Sequence, residues 1–332
     1  LTTIDGTAYS SGNGTSTRND NMNQSGTGGT VGLDNLPLSR LDPEFELFGV
    51  DEPDTGFNIE APSTTIRHVA VTGFGGKAKG KGKGGAQGDG NIRVGAVSGA
   101  LIEYNMIGAG AGSFTDPGSA AIGDNIRIDQ GDNGTIRNNL IGFGFGGGIG
   151  MLDGANNWLI TGNEIRGNGT GRPEVGGIDA DTSDNATVRG NLLVDNIGEG
   201  FDNENSNGGH LLENNEITGN GIGDTETAGV HLLGSNNTVR RSEIHGNYGA
   251  GIMVDSGSTQ NVLSQNNIYD NGEIAGGTGQ IGIDLHDNGD NDKKGSSPFV
   301  TLNDNGDGDN GGNGLLNYPV IDTVSVVAGN LV

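Results

Sequence analysis

The 332-residue sequence is 31% hydrophobic, has 67 glycines and no cysteine, and sets 42 acidic against 17 basic side chains, a formal charge of -25. That field disfavours nucleic acid and anionic membrane and favours cations, and without cysteine a secreted form must be stabilised by its backbone ladder or by metal. No apolar run approaches the roughly 18 residues that cross a bilayer.

Residues 1–30 are Ser, Thr, Asn and Gly with hardly an aliphatic side chain, which predicts an extended leader that must lie on something to be ordered. Starting on Leu1 and not Met, the chain reads as processed or trimmed. Aliphatic residues return at Leu33, Leu36, Leu38, Phe45, Leu47 and Phe48, so residues 1–55 are expected to be leader plus a cap over the first coil of a repeat.

From Asn125 to Asp287 one pattern recurs seven times, opening with Asn125-Ile-Arg-Ile-Asp129, Gly148-Ile-Gly-Met-Leu152, Gly177-Ile-Asp-Ala-Asp181, Gly200-Phe-Asp-Asn-Glu204, Gly229-Val-His-Leu-Leu233, Gly251-Ile-Met-Val-Asp255 and Gly282-Ile-Asp-Leu-His286. In all but the last, a second short strand, a turn and a third strand come after the opening. Aligned on Asn139, the turn falls at Val69, Asn105, Asn163, Asn191, Asn215, Ser242 and Asn266, with a basic spacing of 24 residues and insertions elsewhere. Three strands of roughly 4 to 5 residues plus their turns fill such a coil. Six of the eight positions are Asn. Stacked about 4.8 Å apart, they can hydrogen-bond along the stack and so satisfy amides that are costly to bury.

Alternation along the opening strands turns Ile126, Ile149, Ile178, Phe201, Val230, Ile252 and Ile283 inward. It turns Arg127, Asp129, Asp179, Asp181, Asp202, Glu204, His231, Asp255, Asp284 and His286 outward. Asp179 is then expected over Asp202, Asp181 over Glu204, and His231 one coil further on. Carboxylates about 4.8 Å apart repel, so either a cation neutralises them or one binds a proton near neutral pH. Asp179, Asp181, Asp202, Glu204 and His231 are therefore the candidate catalytic residues.

Two stretches depart from the pattern. The loop from Gly76 to Gly85 gathers Lys77, Lys79, Lys81 and Lys83, either as a solvated loop or as a contact for an acidic glycan or subunit. The tail crowds Asp287, Asp290, Asp292, Asp304, Asp307 and Asp309 among Asn and Gly, which predicts calcium binding by oxygen ligands. It is no EF-hand, because counting from Asn303 a glycine, Gly314, stands where the bidentate glutamate belongs.

The coil pattern, over roughly residues 56 to 287, resembles the pectate-lyase-like superfamily. The resemblance implies an all-β, right-handed, single-stranded parallel β-helix, a solenoid of about 24-residue, three-strand coils, here placed over residues 56–290. That superfamily includes lyases, glycosidases, epimerases, phage tailspikes and non-catalytic surface proteins, so the fold leaves the activity open. Its lyases hold calcium on outward Asp residues and take a proton with a basic residue, and its polygalacturonase type pairs carboxylates as acid and base. Their signatures are incomplete here. Gly229-Val-His231-Leu232 retains only the histidine of a Gly-His-Gly, Gly200-Phe-Asp-Asn-Glu204 lacks an Asp-Pro-His, and Arg127 lies two coils from Asp179. Residues 308–321 resemble the stretch closing the helix in large bacterial surface proteins, so residues 291–332 read as a calcium-type loop and the start of another module.

These features lead to an expected structural or adhesive module, extracellular or on the cell surface, stabilised by calcium and self-associating or contacting neighbouring modules. The alternative is a lyase, hydrolase or epimerase acting on an acidic polysaccharide, and the third reading is a phage-like receptor-binding protein. Nucleic acid and membrane insertion are not expected.

Overall fold

The computed structural model describes residues 2–7, 24–50, 54–75, 90–118, 123–204, 208–223, 227–306 and 308–317, and the backbone of 326–327 and 330–331. Lys77, Lys79, Lys81, Lys83 and Asp307 lie outside these residues.

Three parallel sheets, each of nine strands among the described residues, run the length of a right-handed solenoid. The first sheet contains Thr65–Arg67, Thr135–Arg137 and Thr187–Arg189, the second Val69–Thr72, Leu140–Gly142 and Leu192–Val194, and the third Ile126–Asp129, Ile178–Asp179 and Phe201–Asp202. Each coil contributes one strand to each sheet, in that order. Strands stop after two to four residues because a residue in the left-handed region turns the chain at the corner. Between the first and second sheets Asn138 (φ 55) and Arg241 (φ 54) do this, and Gly162 and Gly190 take the same place where no side chain has to be accommodated.

Inside the tube, Ile92, Ile126, Ile149, Ile178, Phe201, Val230 and Ile252 stack in one buried column. Ile283, on the sheet's last strand, is 39% exposed. Burying each such side chain contributes about 1.5 to 3 kcal/mol. The expected turn ladder is present. Asn105, Asn139, Asn163, Asn191 and Asn215 are buried, and each amide oxygen from Asn139 to Asn215 accepts both the backbone N–H and the Nδ2–H of the Asn one coil before, at 2.9 to 3.1 Å. Ser242 continues the ladder through its hydroxyl alone.

Two further ladders occupy the other corners. One runs through Asn168, Asn196, Asn220, Asn247 and Asn271. The other runs through His210, Asn237, Asn261 and Asn313.

Residues 1–55, expected as leader and cap, contain two strands of the solenoid. Thr3–Asp5 pairs with Thr65–Arg67 in the first sheet, and Phe45–Phe48 with Val69–Thr72 in the second. Between them a small hairpin, Thr30–Val31 with Leu36–Pro37, lies across the outside of the second sheet. Leu41 packs on Ala70, Met106 and Leu140, and Val31 and Leu38 on Leu192. Thr27 donates to Glu164 through its N–H (2.6 Å) and its hydroxyl (3.0 Å), and Asp34 pairs with Arg241. The described leader residues, 2–7 and 24–30, thus lie on the coils.

Candidate active site

The outward positions of the third sheet form one register of Arg93, Arg127, Gly150, Asp179, Asp202, His231, Met253 and Asp284. Asp179 sits beside Asp202, and Asp202 beside His231, as the alternation requires. Backbone bonds from Ala180 N–H to the Asp202 carbonyl (2.8 Å) and from Thr182 N–H to the Glu204 carbonyl (3.1 Å) carry the register on, so Asp181 lies beside Glu204. All five candidate residues therefore fall on two rows of three adjacent coils.

The row faces outward yet is largely buried, because the turns leading into the third sheet fold over it. Asp202 is 6% exposed, His231 3% and Asp284 1%, while Asp179, Asp181 and Glu204 are partly exposed and form the solvent edge. The turns also bring in two acids that the alternation could not show, Asp124 and Glu199. Each stands three residues before an outward position, where other coils have Gly147, Gly176, Ala228 and Ala250. An acid against that small-residue background is the signal that marks them.

Gly150 makes room for Asp124. A Cβ at position 150 would lie 2.4 Å from Asp124 Oδ2. The Asp124 carboxylate accepts Gly147 N–H at 2.8 Å and stands 3.8 Å from Arg127 Nη1. Burial nonetheless pushes its pKa up, against the pull of that N–H, Arg127 and Arg172. Arg127 also contacts Asp129 at 2.8 Å, and Arg93 joins Asp129 to Glu60 at 2.8 Å each.

Asp179 stands next to this group. Burial, followed by the charges of Asp124, Asp181 and Glu204, pushes its carboxyl up to about 8, with Arg172 opposing. It therefore holds a proton at neutral pH while carboxylates surround it.

Further along the axis, His231 Nδ1 lies 3.5 Å from Asp202 Oδ1 and 3.8 Å from Glu199 Oε1. Burial pushes this imidazole down to about 3, against the attraction of Asp255. His286, whose Nδ1 is 3.2 Å from Asp255 Oδ1, behaves oppositely. Burial lowers it, but the Asp255 hydrogen bond and the charges of Asp284 and Asp255 outweigh burial and raise it. Gln280 Nε2–H donates to Asp284 Oδ2 at 3.1 Å, closing the row.

The tail acids do not converge in this way. Asp290 Oδ2 accepts Asp287 N–H at 2.9 Å, and Asp304 Oδ2 accepts Gly308 N–H at 3.2 Å, so these carboxylates cap their own turns. Among the described residues no three His, Cys, Asp or Glu side chains form a ligand set, and Asp287, Asp290, Asp292, Asp304 and Asp309 share no coordination shell.

The chain is similar in fold to an alginate lyase from Paenibacillus sp. str. FPU-7, with TM-score 0.45 and 16% identity over 69% of this chain and 89% of that one. It is similar to the pectate lyase Pel9A at TM-score 0.41 and 16% identity, over 66% of this chain and 65% of that one. The A-module of the Azotobacter vinelandii mannuronan C-5 epimerase AlgE4 gives TM-score 0.41 and 14% identity, over 69% and 80%. At such identities the likeness extends to the fold alone. No curated protein matches in sequence. The family described as right handed beta helix region matches residues 152–318, half of the chain. With its parallel three-sheet coil, the chain belongs to the family of right-handed β-helix proteins.

Proposed function

We propose that the chain cleaves an acidic polysaccharide by acid–base hydrolysis at the solvent edge of the third sheet. The observation that carries this reading is Asp179, a partly exposed carboxyl held protonated up to about 8 by burial and by neighbouring acids. A general acid must carry its proton at working pH and be open to substrate, and Asp179 holds its proton while keeping part of its surface exposed.

The second carboxylate is Asp181, a partly exposed acid two residues on, in the turn that follows the strand. In this reading Asp181 activates the attacking water while Asp179 protonates the leaving oxygen. Arg172, 45% exposed and near enough for its charge to act on Asp179, pairs through Nε with Glu174 at 3.4 Å, and in this reading its terminal N–H groups receive a uronate carboxylate. Lyase chemistry is less well served, because Arg127 is committed to Asp124 and Asp129 and His231 is buried.

The test is reducing-end release and unsaturated-uronate absorbance across a panel of polyuronides. Reducing ends without unsaturation from the wild type, and none from Asp179→Asn, are expected. Unsaturated product, or no product from any polymer, overturns the reading.

A second reading is a structural or adhesive module of an extracellular protein. The three corner ladders, rigid whether or not chemistry occurs, favour it. Head-to-tail filaments in electron micrographs, with no hydrolysis, are its signature.

A further inference from the structure

The outer face of the first sheet carries a repeat of two coils. Thr65–Arg67, Thr135–Arg137, Thr187–Arg189 and Thr238–Arg240 read Thr-Ile-Arg or Thr-Val-Arg, and the strands between them, Leu101–Glu103, Leu159–Thr161 and Leu211–Glu213, read Leu-aliphatic-Glu or Leu-aliphatic-Thr. The pairing is in strict register, so threonine faces leucine, and arginine faces glutamate or threonine, from coil to coil. Core packing needs only the middle residue of each strand, and a 24-residue coil has no reason to alternate. The alternation belongs to the outside.

Its charge is layered. Arg67, Arg137, Arg189 and Arg240 have side chains 40%, 45%, 47% and 44% exposed, while Glu103 and Glu213 between them are 6% and 15% exposed. Arg137 Nη2 is 2.6 Å from Glu103, and Arg240 Nη2 is 2.8 Å from Glu213. Each glutamate lies beneath two guanidinium groups and fixes their height above the sheet. A guanidinium has five N–H donors, and these contacts use only some of Arg137's and Arg240's. Arg67 is also held by Asp5 at 2.7 Å, so the row sets four partly exposed guanidinium groups over three less exposed carboxylates, a cationic outer layer on a chain of net charge -25.

We infer that this stripe binds an extended carboxylate-bearing polysaccharide lying along the solenoid axis, on a face separate from the carboxyl cluster of the third sheet. Successive Thr and Arg pairs are two coils apart, about 9.6 Å, close to the length of a disaccharide in an extended chain. Each Arg fork takes a uronate carboxylate, and the Thr two residues before it faces the same disaccharide with its hydroxyl.

The inference does not depend on cleavage, and binding is best measured in the full chain carrying Asp179→Asn, which keeps the polymer intact. Affinity electrophoresis and calorimetry with polygalacturonate and its oligomers are expected to give binding that strengthens as the oligomer spans a second and third Arg. The fourfold variant Arg137→Gln, Arg189→Gln, Glu103→Gln, Glu213→Gln removes the two central arginines together with both glutamates beneath the row, so neither glutamate is left without its partner. It is expected to fold, by circular dichroism and melting, and to bind at least about tenfold more weakly. Arg137→Lys with Arg189→Lys keeps the charge without the fork and is expected to fall between, which keeps the test decisive if the fourfold variant does not fold.

Absence of binding to polygalacturonate overturns the proposal, as does equal affinity in the Lys variant. Equally tight binding of single-stranded DNA marks an unspecific polyanion surface and overturns it too. Binding without hydrolysis by the wild type sinks the cleavage reading alone.

Discussion

Asp179 keeps its proton because it is buried and its neighbours are acids, and a glycine one coil away lets one of them approach. Gly150→Ala would put a Cβ where Asp124 Oδ2 stands, so the carboxylate must swing away. Asp124 is, after burial, the largest cause of the raised Asp179 pKa. The midpoint of the Asp179 carboxyl, followed by 13C NMR and assigned by its loss in Asp179→Asn, is expected to fall from about 8 in the Gly150→Ala protein. An unchanged midpoint would show that Asp124 does not act on Asp179. His210 gives a second titration of opposite sign. Its Nδ1 accepts Ala186 N–H at 3.1 Å, and burial pushes it down to about 4, with Asp184 opposing. The unfolded chain takes up a proton near pH 6.5 that the folded chain refuses until about 4, so stability is present above 6.5 and lost as pH falls toward 4. His210→Asn, which puts the ladder's usual residue there, is expected to flatten melting temperature against pH in that window. For Asp179 the folded state holds the proton that the unfolded chain has lost, so stability falls as pH rises from about 4 to 8.

At the scale of an element, the coil corners carry the specificity of the fold. Asn163 donates to the Ile136 carbonyl at 2.9 Å and to Asn191 Oδ1 at 3.0 Å, and accepts the Asn139 N–H and Nδ2–H, both at 2.9 Å. Asn163→Ala leaves several of these buried groups unsatisfied and is expected to cost about 3 kcal/mol in denaturant unfolding. Ser242 interrupts the same ladder, accepting Asn215 N–H without its Nδ2–H. Ser242→Asn restores the missing bond and is expected to stabilise by about 1 kcal/mol. A cost for Asn163→Ala no larger than that of an exposed Asn→Ala would contradict the ladder account. This turn is legible in sequence because it is short and of constant spacing. The ladder through Asn168, Asn196, Asn220, Asn247 and Asn271 follows the first at a fixed offset of five residues and is equally legible, though the turn at Asn139 alone does not draw attention to it. The ladder through His210 contains a histidine that no Asn pattern selects.

For the whole molecule, alternation along single strands decides which side chains face inward, and register decides which stand side by side. That rule places Asp179, Asp202 and His231 correctly. Burial is not legible, because it comes from turns that fold back over the sheet from a distance alternation does not encode. Those turns hide Asp202 and His231 and deliver Asp124 and Glu199. The N-terminal stretch likewise reads as featureless, since among its described residues Thr3–Asp5 and Thr27 take their partners, Thr65–Arg67 and Glu164, from distant coils. The fold is thus a solenoid whose inward rows make the core, and the proposed function rests on the outer rows that concentrate charge.

The central claim is that a protonated Asp179 drives cleavage, and the rate of reducing-end release against pH on the preferred polyuronide tests it most directly. The account predicts release that falls as pH rises through about 8, where Asp179 loses its proton, and no release by Asp179→Asn at any pH. Wild-type release that persists unchanged above that pH, or equal release by Asp179→Asn, would contradict it.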